Sequence, residues 1–357
     1  MSKRDVTKER DNLLRVARFE RPDYIPMTFH INAACWHHYP QDALQDLMAS
    51  HPFLFPDFER SLGTMEPDLP PFARAGQPFV DPWGCLWETP DDGIIGMVTK
   101  HPLESWDDFE GYEPPDPNET THWGPIDWKG QTEHIGPAIS QTCLRNGEIG
   151  HNHTWLKLTD IRGYENMLFD MADGQPKLFA LLEMLEHFNA GLVRNYINWV
   201  GVEWLGFAED LGMQMGPMLS PQQFRKYIKP SYQRLLKTAR EAGCIVHVHA
   251  DGDLRVLMDD LLDCGVDVIN LQDLVNGVDW IKEHLKGKVC IDLDIDRQHV
   301  TVHGTPAQID ALLREEVEKL GSEQGGLMMI YGLYPGVPLE NIEALMDAME
   351  QYATYYA

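Results

Sequence analysis

Two histidines and an aspartate recur at a spacing of two residues: His247, His249 and Asp251. They follow an apolar pair at 245–246, and residues two apart on a β-strand point to the same face of the sheet. Two imidazoles and a carboxylate on one face suit Zn²⁺, which needs three protein ligands and an open position for catalysis. The spacing therefore predicts a metal site. The alternative is that one histidine is a hydrogen-bonded core residue and that Asp251 caps a following helix.

Glu209 and Asp210 form a second candidate group at the end of the apolar run 202–208. Paired carboxylates can bind a metal, bind a substrate cation or divide acid and base roles through mutual repulsion. We predict a catalytic role for both, with a solvated turn as the alternative. Glu203, at the start of the same run, is expected to serve stability.

Other candidates lie where further apolar runs end. His30 ends the first run and Tyr331 ends the last, and we expect both to take part in catalysis. His151 and His153 are two apart in another run and are predicted to contact the substrate, although a lone histidine at such a place is commonly structural. Trp36 is a candidate for an aromatic wall around a flat or cationic ligand, which loop packing explains as well.

The elements that must position these residues follow from the hydrophobic pattern. From about residue 147 the chain alternates short apolar runs with longer amphipathic stretches, which is typical of βα units and a parallel sheet. The predicted strands are 24–31, 149–156, 202–208, 244–249, 267–271, 289–293 and 327–331. The predicted helices are 3–20, 163–173, 177–198, 221–242, 253–264, 277–286, 305–320 and 339–356.

Several residues mark where these helices begin and end. Ser220 and Thr305 each precede a proline, which places a capping hydroxyl before a proline at the first helical position. Three glycines lie where a helix should pass into the next strand: Gly243, Gly265 and Gly287.

These strands, with one more expected within a region rich in proline and tryptophan, predict an α/β fold, a closed (β/α)8 TIM barrel. The region 52–146 is predicted to form elaborated loops over one mouth of a single domain spanning 1–357. An open doubly wound sheet is the alternative, but no glycine-rich phosphate-binding turn follows an early strand. In such a barrel the active site lies at the C-terminal ends of the strands, where the candidates fall.

Composition limits the partners. The chain has 29 basic and 56 acidic residues and a formal charge of −27, which disfavours nucleic acid and anionic lipid surfaces. No apolar span reaches membrane length and the N-terminal residues do not resemble a signal peptide, so we expect a cytoplasmic protein with no membrane partner. Six cysteines without CxxC spacing are expected to be free thiols.

Three separated stretches resemble the uroporphyrinogen-decarboxylase-like superfamily, in the order that the family has them. The stretches are Val80-Asp81-Pro82-Trp83-Gly84 with His101-Pro102-Leu103, Glu209-Asp210-Leu211-Gly212 with Leu219-Ser220-Pro221, and His249-Ala250-Asp251-Gly252-Asp253 continuing to Pro338-Leu339-Glu340-Asn341. That superfamily contains porphyrinogen decarboxylases and zinc-dependent methyltransferases that serve corrinoid proteins. The resemblance implies a (β/α)8 barrel enzyme.

The departures from the family's motifs favour the methyltransferase branch. The arginine-rich segment that porphyrinogen decarboxylases carry after the first strand is replaced by residues 29–36, which contain no arginine. The methyltransferases have a His-x-Cys-Gly zinc motif at the position of His249 to Gly252, with a further cysteine in the last strand. Here Asp251 replaces the first cysteine, and Tyr331 or its neighbours stand where the second is expected. An oxygen ligand is less suited than sulfur to activating a soft thiol.

The resemblance thus implies a methyltransferase that moves a methyl group from a small O- or N-methylated substrate to a corrinoid protein, with Zn²⁺ at His247, His249 and Asp251. The corrinoid would be carried by that separate protein. One alternative is metal-independent decarboxylation or a related proton transfer on a small acid, and another is a non-catalytic ligand-binding barrel. A homodimer is compatible with the sequence.

Overall fold

The chain alternates between strands and helices through most of its length. The computed structural model describes residues 5–61, 63–134 and 144–357, without the side chains of residues 6, 133 and 134. In these ranges the strands are β1 (Met27–Ile31), β2 (Phe79–Val80), β3 (Leu86–Glu88), β4 (Met97–Lys100), β5 (Asn146–His151), β6 (Trp204–Ala208), β7 (Gly212–Met213), β8 (Gly216–Pro217), β9 (Ile245–His249), β10 (Val268–Gln272), β11 (Cys290–Asp294) and β12 (Leu327–Leu333). The α-helices are α1 (Glu9–Arg18), α2 (Cys35–His38), α3 (Gln41–Ser50), α4 (Trp128–His134), α5 (Trp155–Arg162), α6 (Tyr164–Asp173), α7 (Pro176–Asn195), α8 (Pro221–Gln223), α9 (Lys229–Glu241), α10 (Met258–Asp263), α11 (Asp273–Asn276), α12 (Val278–His284), α13 (Val300–His303), α14 (Pro306–Leu320) and α15 (Leu339–Ala353).

Seven of the described strands form one curled parallel sheet. Their order is β1-β12-β11-β10-β9-β6-β5, and every neighbouring pair is parallel. Parallel neighbours need crossover connections, which helices supply here, and those helices cover the outer face of the sheet. This is the predicted α/β architecture of a barrel wall.

The proline-rich region contributes no strand to this sheet within the described ranges. It contains instead the small antiparallel sheet β2-β3-β4 and short helical turns, because proline lacks the N–H that a central strand must donate. The eighth barrel strand expected in this region is therefore absent from its described part, while residues 62 and 135–143 lie outside the described residues. The predicted strand 149–156 also differs: β5 ends at His151, and α5 begins at Trp155.

The inner face of the curled sheet changes from apolar to polar along the strands. At the N-terminal ends Trp204, Ile245, Val268, Cys290 and Met328 form a cluster with residues of α1. Two residues further along, the inner positions of β9, β10 and β11 carry polar side chains. These are His247, Asn270 and Asp292. Polar groups thus collect toward the C-terminal ends, where barrels of this kind keep their active sites.

The predicted helix caps and handover glycines are confirmed. Ser220 accepts a hydrogen bond from the backbone N–H of Gln223, and Thr305 accepts one from that of Gln308, each completing a capping box. The three predicted handover glycines adopt positive φ angles of 87°, 96° and 75°, the left-handed region that glycine enters without steric cost. They are Gly243, Gly265 and Gly287.

The described cysteines are buried free thiols, as predicted, and Cys143 lies outside the described residues. They are Cys35, Cys85, Cys244, Cys264 and Cys290. No helix within the described ranges has the length and apolar character needed to cross a membrane.

Candidate metal centre

Ligating atoms of His151, Asp210 and His249 converge at the C-terminal ends of three neighbouring strands. One such atom from each residue lies within 4.8 Å of the other two. The Nε2 atom of His151 is 3.4 Å from Oδ1 of Asp210, and the Nε2 atom of His249 is 3.5 Å from the same oxygen. The three side chains are each 22–34% exposed, so the group is largely buried but can be reached from the solvent.

The register of the sheet brings these residues together. His151 is the last residue of β5 and His249 the last of β9, and both pair with Ala208 of β6, which lies between them. Alanine has no side chain long enough to separate the two imidazoles. Asp210 follows Ala208 by two residues and therefore continues on the same face. Three neighbouring strands thus deliver one ligand each.

Each histidine is oriented by an asparagine. Nδ1 of His151 is hydrogen-bonded to Oδ1 of Asn152, and Nδ1 of His249 to Oδ1 of Asn270. A carbonyl oxygen can only accept, so both imidazoles carry a proton on Nδ1 and, when neutral, leave the Nε2 lone pair free. Metal-binding histidines usually have such a partner on the second nitrogen. The arrangement therefore fits a divalent cation of borderline character, for which two imidazoles and a carboxylate are suitable ligands.

The pKa values of the three groups reflect their mutual attraction. Burial opposes the charged form of Asp210, but hydrogen bonds from the two histidines hold its pKa well below the usual range. Burial also opposes the charged form of His249, whereas the hydrogen bond to Asp210 and the charges of Asp251 and Asp210 raise its pKa to about 9. The pKa of His151 is raised in the same way against its burial. The negative charge of Asp210 therefore stabilises positive charge at this place, either on the two imidazoles or on a bound cation.

Asp251 lies beside this cluster. Its Oδ1 atom is 4.0 Å from Nε2 of His249, and its backbone N–H donates to Oδ1 of Asp210 over 3.3 Å. Its carboxylate lies 3.3 Å from a guanidinium nitrogen of Arg297, which also pairs with Asp294. Burial raises the pKa of Asp294 to about 7 against the opposing charge of Arg297. A carboxylate and a guanidinium thus line the edge of the candidate site.

His247 is on the predicted face but in a different layer of the barrel. Two residues of a strand advance about 6.6 Å, which separates His247 from His249 along the barrel axis. Its Nε2 atom is hydrogen-bonded to Oδ2 of Asp292 at 2.9 Å, and its ring lies against Trp204 with centroids 5.7 Å apart. The geometry therefore does not place His247 with the converging ligands.

Glu209 points away from the barrel interior. It is fully buried, and its Oε1 atom accepts hydrogen bonds from the backbone N–H groups of Thr154 and Leu156, each at 2.8 Å. Its Oε2 atom accepts a hydrogen bond of 2.6 Å from the hydroxyl of Tyr232. Glu209 thus joins the end of β6 to the start of α5, while its neighbour Asp210 faces the site.

His153 and Tyr331 are fully buried as well. Nδ1 of His153 is hydrogen-bonded to Oγ1 of Thr154 at 2.7 Å, and burial lowers the pKa of the histidine. Tyr331 pairs in register with Phe29, and their rings pack 5.3 Å apart. Because Met328 marks the inner face, the odd-numbered positions of β12 face the helices. Tyr331 therefore directs its side chain away from the cluster.

His30 and Trp36 complete the predicted set, and neither joins the cluster. His30 is exposed on the inner side of β1, in register with Gly332. Trp36 is buried in α2 as part of the main apolar core.

Sequence reasoning missed Asn152, Asn270 and Arg297. Asn270 carried a usable signal, because it is the polar residue at an inward position of the apolar run 267–271. Asn152 lies between two histidines in the sequence, and its φ of 66° is not readable from residue types. Arg297 follows β11 by three residues in a loop, where periodicity gives no information.

The sequence profile of the uroporphyrinogen decarboxylase (URO-D) family matches residues 155–352. That range is more than half of the chain, and the protein belongs to this family.

Curated relatives carry two kinds of name. The chain is 26% identical over 172 residues to a uroporphyrinogen decarboxylase of Thermus thermophilus, which covers 46% of this chain and 42% of that protein. It is 25% identical over 143 residues to the methylcobamide:CoM methyltransferase MtaA of Methanosarcina barkeri, covering 38% of each. The chain spans less than half the length of either relative. Among solved structures, a methyltransferase from Methanosarcina mazei superposes with a TM-score of 0.65 at 17% identity over 98% of this chain and 99% of that one, so the two share a fold.

Proposed function

We propose that this protein is a methyltransferase that moves a methyl group from a small O- or N-methylated compound to a corrinoid carried by a separate protein. The observation that carries the proposal is the convergence of His151, His249 and Asp210, with both imidazoles oriented through Nδ1. The family, its MtaA relative and the fold shared with a methyltransferase support the same class of reaction.

In this proposal His151, His249 and Asp210 would hold Zn²⁺, in place of the predicted set of His247, His249 and Asp251. Bound there, the ion would supply Lewis acidity toward the heteroatom that bears the methyl group. Asn152 and Asn270 keep the two Nε2 atoms directed at the site. Asp251 and Arg297, at its edge, orient the methylated compound.

The ligand set bears on the substrate. The three converging donors are nitrogen and oxygen atoms, which suit a harder partner than a coenzyme thiol. An oxygen or nitrogen leaving group matches these donors better than a sulfur group does. We therefore assign the methyl donor to O- or N-methylated compounds rather than to methylated thiols.

Uroporphyrinogen decarboxylation, the activity in the name of the Thermus relative, fits the site less well. Within the described ranges carboxylates line the inner face and its mouth, and the guanidinium of Arg297 is shared between two of them. Such a surface repels a substrate with many carboxylates. The carboxylates are Glu148, which lies against Gly206 on the inner face, and Asp210, Asp251, Asp292 and Asp294.

A metal-independent proton-transfer enzyme acting on a small acid is the second candidate. It is favoured by one observation: the pKa of Asp294 is raised to about 7, which suits a group that donates and accepts protons near neutrality.

A paired metal and activity measurement separates the two candidates. The protein is purified without chelator, its metal content is determined, and methyl transfer to Co(I) cobalamin is followed optically with a panel of methyl ethers and methylamines. We expect about one zinc per chain and loss of both zinc and activity in His249→Ala. His247→Asn, a histidine change outside the cluster, is the matched control and should keep zinc. A folded protein that never takes up a divalent ion, yet decarboxylates a small acid, would refute methyl transfer.

A further inference from the structure

A line of hydrogen bonds runs from His151 into the buried protein. The carbonyl oxygen of Asn152 accepts from Nδ1 of His151, and its amide nitrogen donates to Oδ2 of Asp160 at 3.1 Å. The same Asp160 oxygen lies 3.2 Å from the ammonium of Lys157, which also donates to Oδ2 of Asp81 at 2.9 Å. Four contacts thus connect the candidate metal centre with the proline-rich region.

We propose that Lys157 and Asp160 are positioning residues for His151, which set the tautomer and the direction of its Nε2 atom through Asn152. The proposal rests on the metal centre of the proposed function. It adds residues that do not touch the ion or the substrate.

The positive charge of Lys157, at the buried end of the line, determines which group donates and which accepts in each hydrogen bond. Lys157 has only donors, so the oxygen of Asp160 that it contacts must accept. That oxygen then accepts from Asn152 as well, which requires the NH₂ group of the asparagine to face it. The carbonyl of Asn152 is thereby turned toward His151 and needs a proton on Nδ1. Nε2 is the nitrogen left for a metal.

Burial makes this polarity hard to reverse. The side chains of Lys157 and Asp81 are 0% exposed, and that of Asp160 is 12% exposed. Burial opposes the charge on Lys157, but the charges of Asp160 and Asp81 raise its pKa, so it stays an ammonium. Burial also raises the pKa of Asp160, although Lys157 opposes this shift. A proton taken up by Asp160 would go to Oδ1, because Oδ2 faces the ammonium.

The buried ion pair is not explained by stability alone. Such a pair commonly contributes little net stability, because the desolvation of both charges offsets their attraction. The orientation of His151 accounts for the presence of these two charged residues in a buried position.

Asn152 is suited to its place by its backbone. Its φ of 66° lies in the left-handed region, which asparagine enters more readily than other residues with a side chain, apart from aspartate. In that conformation its amide lies between His151 and Asp160. A side chain without both an acceptor and a donor would break the line at this point.

His249 is also oriented by an asparagine, but the final acceptor of its hydrogen-bond line is different. Asn270 accepts from Nδ1 of His249, and its amide nitrogen donates to the backbone carbonyl of Asp292 at 2.7 Å. A backbone carbonyl can only accept, and no substitution removes it. At His151 the equivalent acceptor is the Asp160 carboxylate, whose ability to accept is maintained by Lys157. The two histidines therefore differ in whether distant residues can alter their orientation.

The line also explains how the proline-rich region reaches the site. Asp81 accepts hydrogen bonds from the N–H groups of Trp83 and Cys85 and from Nε1 of Trp87, at 2.9, 2.9 and 3.0 Å. The ammonium of Lys157 lies 5.4 Å from the ring centroid of Trp87. The Asp81 carboxylate thus organises the turn that begins at this residue and also pairs with the ammonium of Lys157.

The test compares Asp160→Ala with Asp170→Ala. Alanine at 160 removes the acceptor that holds the NH₂ group of Asn152, so the Asn152 amide can turn either its oxygen or its nitrogen toward His151. Asparagine at 160 would not test the line, because Lys157 would keep its carbonyl oxygen in the accepting position. Asp170 is a matched control because it is a buried carboxylate paired with Arg162 at 2.9 Å and has no contact with this line. Zinc dissociation constants are measured by chelator competition, and thermal unfolding of the metal-free proteins reports stability.

We expect Asp160→Ala to weaken zinc binding by about 10- to 100-fold, the usual effect of losing the partner that orients a ligand. Asp170→Ala should keep the wild-type affinity even if it lowers the melting temperature equally. A second readout uses metal-free protein at alkaline pH, where His151 is neutral. Its ¹⁵N chemical shifts should show the Nδ1–H tautomer in the wild type and a mixture of tautomers in Asp160→Ala.

Asn152→Gly is the second test variant, for use if Asp160→Ala does not fold. Glycine accepts the left-handed backbone, and the variant leaves the Lys157 ion pairs in place while it breaks the line. It should show the same loss of zinc affinity. Wild-type affinity in Asp160→Ala, or equal weakening in Asp170→Ala, would overturn the inference while leaving the metal centre intact. A wild type that binds no zinc would overturn the proposed function, and the inference with it.

Discussion

His151 and His249 direct their Nε2 atoms at one oxygen, Oδ1 of Asp210, from the two sides of strand β6. The relationship depends on Ala208, which pairs with both histidines and leaves space between them. It also assigns different tasks to Asp210 and Asp251, the two carboxylates nearest to His249.

The first prediction separates those tasks. Asp210→Asn should lower zinc affinity by more than the roughly 100-fold that losing a ligand's hydrogen-bond partner costs, because it removes a charged ligand. Asp251→Asn should keep the affinity and lower kcat for methyl transfer. Metal content and steady-state kinetics of the two variants check this. The reverse pattern would return Asp251 to the ligand position that the sequence first indicated.

The second prediction concerns the pH dependence of metal binding. A metal needs the neutral imidazole, and the pKa of His249 is raised to about 9. Below that pH zinc must displace a proton, so the apparent dissociation constant should rise about tenfold for each unit by which the pH falls, per proton displaced. Chelator competition between about pH 6.5 and pH 9 measures the slope, and calorimetry in two buffers counts the released protons. An affinity that does not change over this range would contradict the prediction.

The third prediction uses Asp294, whose pKa is raised to about 7 chiefly by burial. The folded protein binds this proton more tightly than the unfolded chain, so the contribution of Asp294 to stability falls as pH rises toward and through about 7. Asp294→Asn cannot ionise. The melting temperature of the variant minus that of the wild type should therefore increase between about pH 5 and pH 8.5, as thermal unfolding can measure.

Asp253 provides a control of opposite sign for that experiment. Its pKa is lowered, chiefly by the hydrogen bond from Arg255, so it stabilises the fold above its unfolded pKa. Asp253→Asn should therefore lose melting temperature relative to the wild type as pH rises from about 3 to about 6. A difference for Asp294→Asn that shows no rise near neutrality would argue against a raised pKa at that residue.

The fourth prediction concerns charge at the mouth. Because carboxylates outnumber the contacting guanidinium of Arg297, small cations should compete with the substrate better than neutral or anionic molecules of similar shape. Inhibition constants for tetramethylammonium, tert-butanol and pivalate should rise in that order. Asp251→Asn should reduce the advantage of the cation by about 3- to 10-fold, since one nearby charge contributes about 1 kcal/mol at a partly exposed position. Stronger inhibition by pivalate would contradict the assignment.

Much of the fold follows from local sequence. Strands β6 and β9 to β12, the capping boxes and the handover glycines depend on hydrophobic periodicity and on backbone preferences that act within a few residues. The structure of region 52–146 is less predictable, because a proline shows where the hydrogen bonding of a strand is interrupted but not which structure replaces the strand. In its small antiparallel sheet β2 and β3 pair across the turn at 81–85, whereas the pairing of β4 with β3 depends on a longer connection that no local pattern predicts.

The candidate site also contains features that local sequence predicts and features that it does not. Strand alternation correctly grouped His247 and His249 on one face, but the layer in which each lies depends on neighbouring strands. Position near the end of a strand was a weaker guide than the face on which a residue lies. Glu209 and Tyr331 both lie near C-terminal strand ends, yet they occupy outward positions and turn toward the helices.

The sequence by itself determined the parallel α/β architecture, the family and the position of His249 near a strand end, because these depend on short-range pattern and motif. Only the tertiary structure decided that His151 and Asp210 join His249, since the grouping arises from the parallel register of β5, β6 and β9, which are separated in the chain by whole helices. Register is a property of a hydrogen-bonded strand pair. The hydrophobic pattern of one strand indicates which face it buries, but it does not say which residue of a distant strand lies opposite each position.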